Sequence, residues 1–106
     1  MNHAFMRIDE VAEHAIGKYG RMRLRYLKNH HKVMYTNLLT SGALNSHLHE
    51  VDEAAANRME MIVRQMAASE GVDERFKAEN QILWVQHMNN IRNRAEEIVI
   101  SEEVYG

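Results

Sequence analysis

The chain contains no cysteine and no proline, and only five of its 106 residues are glycine. The missing cysteines exclude disulfide staples, thiolate zinc sites and cysteine nucleophiles. The missing prolines and scarce glycines disfavour a turn-rich β sandwich and suit long helices. Long apolar runs are missing too. The longest, Ile82 to Val85, has four residues, against the roughly 20 that a membrane-crossing helix needs. The opening stretch MNHAFMRIDE carries Arg7 and Asp9 where a signal peptide needs apolar residues, so a cytoplasmic protein with no membrane contact is expected. What is present is ordinary for a folded domain: 45% hydrophobic and 26% charged residues, in a length that suits one domain.

The net charge of −2 conceals an uneven layout. No acidic residue lies between His14 and His49, a stretch that holds Lys18, Arg21, Arg23, Arg25, Lys28 and Lys32. From Glu50 to Gly106 there are twelve acidic and six basic residues. A basic stretch can meet phosphate, and an acidic surface can fill a basic groove on a partner protein. Equally, the two halves can neutralise each other across helix pairs.

Hydrophobic spacing predicts three helices and a short helical lead-in. The lead-in occupies residues 1–20, with Ile8, Val11, Ala12, Ala15 and Ile16 on one face. The first long helix is expected over about 21–39, with Leu24, Leu27, His31, Met34, Tyr35 and Leu38 in its stripe. Gly42 is suited to the left-handed turn that follows, and Ser41 to accepting from exposed amides. The second helix is expected over about 43–69, with a seam of Leu44, Leu48, Val51, Ala55, Met59, Ile62 and Met66. Gly71 is expected to end it, and Asp73 to cap the third helix, from residue 74 to past residue 100. Phe76, Leu83, Trp84, His87, Ile91, Ala95 and Ile98 line that helix. Short loops make neighbours antiparallel, so the expected architecture is all-α: an antiparallel three-helix bundle over residues 21–106.

Polar residues interrupt these stripes. His31 lies in the first, His87 and Asn80 in the third, and Asp52 beside the second. Counting back from the two turns sets His31 level with Asp52, and Asp52 level with His87 or Asn90. The three residues His31, Asp52 and His87 then share one layer. Such a layer is either a zinc site, since zinc accepts imidazole and carboxylate, or a metal-free hydrogen-bonded layer. His47 and His49, two apart on a helix, diverge.

Signals of catalysis are weak: no phosphate-cradling glycine loop, no nucleophile elbow, and no converging acid–base pair, since Glu96 and Glu97 are helix neighbours. A non-enzymatic protein is expected. For nucleic acid, Lys18, Arg21, Arg25, Lys28 and Lys32 fall along one helix, the last four at spacings that share a face. Tyr19 and Tyr26 lie among them. Against this stands the negative net charge. Trp84, Phe76 and the methionines read as core rather than as a ligand box.

The run GKYGRMRLRYLKNHHKVMYTNLLTSGALNSHL, then VDEAAANRMEMIVRQMAASEGVDERFKAENQILWV, then HMNNIRNRAEEIV resembles the transposon-encoded TnpV family. The resemblance covers about Gly17 to the C-terminus, while the first fifteen residues depart from the family pattern. It implies a setting on bacterial mobile elements beside a site-specific recombinase. It implies no catalytic residues, and it leaves open the roles of Arg21, Arg23, Asn89, Asn90 and Arg92. Two functions fit that setting. One is an inhibitor of a host defence nuclease of the anti-CRISPR type, its acidic face of Glu50, Asp52, Glu53 and Glu60 filling the nuclease's channel. The other is a DNA-binding accessory or regulator of transposon excision, using Lys18, Arg21, Arg25, Lys28 and Lys32. The net charge favours the inhibitor. A homodimeric scaffold is a third reading, through any seam the helices leave open.

Overall fold

The computed structural model describes residues 16–106, and all regular structure within them is helical. Helix α1 spans Lys18–His30, α2 Lys32–Thr40, α3 Leu44–Ser69, α4 Glu74–Glu79 and α5 Gln81–Val99, followed by a π-helical turn over Ile100–Val104. The all-α expectation holds. Three continuous helices do not form, because the first rod breaks at His31 and the third at Asn80. The expected lead-in face of Ile8, Val11, Ala12 and Ala15 lies outside the described residues. Ile16 is buried, and α1 begins at Lys18, so residues 18–20 belong to it.

Each break has a local cause. At His31 the backbone turns to φ −138°, ψ 59°, and the His31 Nε2 sits 2.9 Å from the Tyr26 hydroxyl. Residues five apart in an unbroken helix lie about 140° apart around the axis, so this contact requires the break. Asn80 leaves the helical region at φ −153°, and its Oδ1 accepts from the Leu83 N–H at 3.1 Å. The polar exception in the third stripe is therefore an N-cap. Asp73 caps α4 as expected, accepting from the Phe76 N–H at 2.9 Å.

The two reversals are Schellman motifs. After α2, Ala43 N–H donates to Leu38 O and Gly42 N–H to Leu39 O. After α3, Val72 N–H donates to Ala67 O and Gly71 N–H to Ala68 O. The left-handed residue at each is the expected glycine, with φ of 77° at Gly42 and 71° at Gly71. Ser41 does not cap α3. Its hydroxyl instead donates to Leu38 O at 3.2 Å.

Helix α3 is the spine. It packs on α1 and on α5, and the π turn packs on α1 and α3. Gly17 and Gly20 meet Asp52 while Arg23 meets His47, so α1 and α3 are antiparallel. Lys18 meets Glu96 while Arg23 meets Val104, so α1 runs alongside the end of the third rod in the same direction. The rods are staggered, which stretches the molecule to 61 × 23 × 18 Å. One core cluster joins Leu24 and Leu27 to Leu44 and Leu48, and a second joins Ala55 and Ile62 to Ala95 and Val99. The seam read for the second helix is the seam observed. The third stripe differs: Ile91, Ala95 and Val99 are buried, whereas Leu83, His87 and Ile98 are exposed. The π turn adds one residue to the spacing, so Val104 rather than Glu103 follows Val99 into the core. Neither α2 nor α4 buries a residue.

Candidate nucleic-acid interface

Helix α1 carries the candidate interface, and its position is set by two charged contacts that satisfy helix ends. Gly17 is its N-cap and offers no side chain. Asp52 of α3 does the capping instead, with Oδ2 accepting from Gly17 N–H and Oδ1 from Gly20 N–H, both at 2.7 Å. These are the N-cap and N3 amides that a capping box satisfies with two side chains. One carboxylate here serves both, and its charge also suits the helix N-terminus. The approach requires glycine at position 20. A Cβ there would lie 2.5 Å from Asp52 Oδ2 and 3.0 Å from Leu48 O.

Arg23 performs the converse task at the end of the third rod. Its side chain is buried, at 7% exposure. Nη1 donates to Val104 O at 2.7 Å and to Gly106 O at 3.2 Å, and Nε donates to His47 Nε2 at 3.2 Å. A cation thus meets carbonyls at a helix C-terminus, where the last-turn carbonyls have no partner within the helix. His47 accepts through Nε2, so the ring is neutral. Burial first, and then the Arg23 charge, hold its pKa below the ordinary 6.5, with Glu50 opposing.

The remaining cations of α1 face outward. Arg21 and Arg25 are exposed and make no ion pair with any described residue. Lys28 lies over the Tyr35 ring, 5.6 Å from its centroid. Lys32 is exposed but belongs to α2, so the expected row of four is three residues on α1 and one beyond the break. Lys18 is paired with Glu96, and this contact raises its pKa above the ordinary value. Around Tyr26 the rings gather: His31 at 4.9 Å, Tyr105 at 4.9 Å and His30 at 5.6 Å between centroids.

The other expected sites fare differently. His31, Asp52 and His87 do not share a layer. His31 is at the α1–α2 break against Tyr26, Asp52 is engaged by glycine amides, and His87 stands edge-on to Phe76 at 5.5 Å. The level count failed because it assumed unbroken rods. Among the described residues no group of three His, Cys, Asp or Glu could hold a metal ion. The acidic face is also divided. Asp52 is the cap just described, and Glu60 pairs with Arg64 at 2.6 Å. Glu50 and Glu53 remain exposed on α3.

Two features had little signal in the sequence. Arg23 stood among five other cations, and only its place on the helix face that also carries Gly20, Leu24 and Leu27 sets it apart. The π turn has no signature in the sequence. Trp84, read as core, is half-buried beside a groove of about 710 Å³ between α3 and α5, with Met59, Val63, Ala67 and Met88.

The model of the family described as transposon-encoded protein TnpV matches residues 5–104. The chain belongs to the TnpV family. The match begins at residue 5 and not at Gly17, so most of the opening fifteen residues, expected to depart from the family pattern, fall within it. No curated protein and no solved structure matches the chain. Membership makes this a transposon-associated accessory protein. Of the positions whose roles the resemblance left open, Arg23 closes the third rod. Asn90 accepts from Arg94 Nε at 2.9 Å, and Arg94 also clamps both oxygens of Glu70 at 2.8 Å. No helix among the described residues is long and apolar enough to cross a membrane.

Proposed function

We propose that this TnpV-family chain is a non-enzymatic accessory of its transposon that binds DNA along the outer face of α1. The observation that carries this reading is the difference in how the two sets of charges are used. Two of the four candidate acids already have partners within the fold, Asp52 with backbone amides and Glu60 with Arg64. Arg21 and Arg25 face solvent four residues apart, with Lys28 a further turn along. A row of this kind follows a phosphate backbone and releases counterions, and net charge matters less than its local distribution. The sequence-based preference for an inhibitor rested on net charge and on four acids acting together.

Fluorescence anisotropy of the protein with a labelled duplex across a salt series tests the reading. Binding that weakens steeply with salt, and that Arg21→Gln with Arg25→Gln abolishes, is the expected result. No binding at low salt would refute it. Inhibition of a host defence nuclease would then lead, favoured by the exposed Glu50 and Glu53. Its test is charge reversal at those two positions against a panel of such nucleases.

A further inference from the structure

At the C-terminal end of α1, the basic face runs into a pocket of about 430 Å³. Its walls are Met22, Arg25, Tyr26, Asn29, His30 and Tyr105. The volume is within the range of small-ligand sites, and the lining mixes aromatic faces with a few polar groups. Tyr105 is 49% exposed and its ring lies 4.9 Å from that of Tyr26. Its position is fixed from behind, because Arg23 grips the carbonyls of Val104 and Gly106 on either side of it. Asn29 supplies an amide that can both donate and accept, and Arg25 supplies a guanidinium from the same wall.

We infer that this pocket receives one unpaired base of single-stranded DNA, stacked against Tyr105 and edged by Asn29, with Arg25 on the adjoining phosphate. The inference rests on the backbone-binding reading above and deepens it. A ring face that is half open to solvent can stack any base, whereas bases in a duplex are already stacked on one another. A guanidinium one helical turn from Arg21 keeps the strand's phosphates on the row already described. Asn29 adds a hydrogen-bonding edge to the pocket wall. The pocket therefore discriminates strand form, and the row of cations does not.

The test compares a labelled twelve-nucleotide oligothymidine with a blunt duplex of the same length, by anisotropy at matched salt. Wild-type protein is expected to bind the single strand more tightly. Tyr105→Ala should weaken single-strand binding about fivefold or more, the scale of one lost stacking contact. It should leave duplex affinity and the salt slope unchanged. Tyr105→Trp should retain the preference, and circular dichroism checks that all variants stay helical. Arg25→Gln should weaken both forms and flatten both salt slopes. Equal affinity of wild type for the two forms, or a Tyr105→Ala protein that binds the single strand as wild type does, overturns the inference while the backbone reading stands. No binding to either form overturns both. Tighter binding of the matching RNA strand overturns the assignment to DNA.

Discussion

Arg23 and its neighbours Arg21 and Arg25 are the same residue type on the same helix, two positions apart, and they serve opposite ends. Two positions are about 200° around a helix, so Arg23 turns inward where its neighbours turn outward. Inside, the guanidinium is held by two carbonyls and an imidazole and closes the third rod. Outside, the guanidiniums meet solvent. Asp52 and Glu53 on α3 repeat the contrast with the opposite sign: one carboxylate starts α1, and its sequence neighbour is exposed. The lesson is that a charge run is not one object. The turned-in members build the scaffold, and the turned-out members are what a partner meets.

The sharpest way to break this contrast is Arg23→Ala. It leaves the buried Val104 carbonyl without its donor and should cost about 2–3 kcal/mol of stability, read by urea unfolding. If Arg23→Ala were as stable as wild type, the inward role would be refuted. Asp52→Ala should cost about 1–2 kcal/mol, the range of a lost helix cap. Gly20→Ala alone should be comparably damaging, because its Cβ collides with that carboxylate. In the Asp52→Ala background it should cost less, so a double-mutant cycle reports the coupling.

A smaller effect comes from His47. Folding lowers its pKa, so the unfolded chain takes up a proton more readily. Its contribution to stability is therefore complete above pH 6.5 and is lost as pH falls through the lower, folded value. His47→Gln should flatten the pH dependence of stability in that window. An unaltered profile would mean that His47 is not the group responsible. The smallest stability effect is expected from Arg21→Gln, within about 0.5 kcal/mol, because the side chain is a solvated surface group.

Much of the fold was legible in the sequence because local chemistry decided it. The α3 seam follows from spacing, and Gly42, Gly71 and Asp73 take the positions their types favour. The breaks were not legible in the same way. Asn80 was visible as a polar residue in a stripe, and only its bond to the Leu83 amide makes it a cap. The break at His31 has no glycine or proline to announce it, and the contact with Tyr26 that accompanies it is visible only in the fold. Those two breaks moved the levels, which is why His31, Asp52 and His87 do not meet. Val99 rather than Ile98 is in the core because the buried row of α5 steps by four, Ile91, Ala95 and Val99. The outward basic row was legible because helical period alone places Arg21 and Arg25 together. The inward Arg23 was not, since its partners lie 24 and more residues away.

The most direct test of the division between turned-in and turned-out charges is a backbone amide NMR titration of the protein with a short DNA duplex at low salt. Chemical-shift changes concentrated on residues 21–28 of α1, with residues 50–60 of α3 unmoved, are the expected result. Changes centred on residues 50–60, or none anywhere at saturating DNA, would contradict the account.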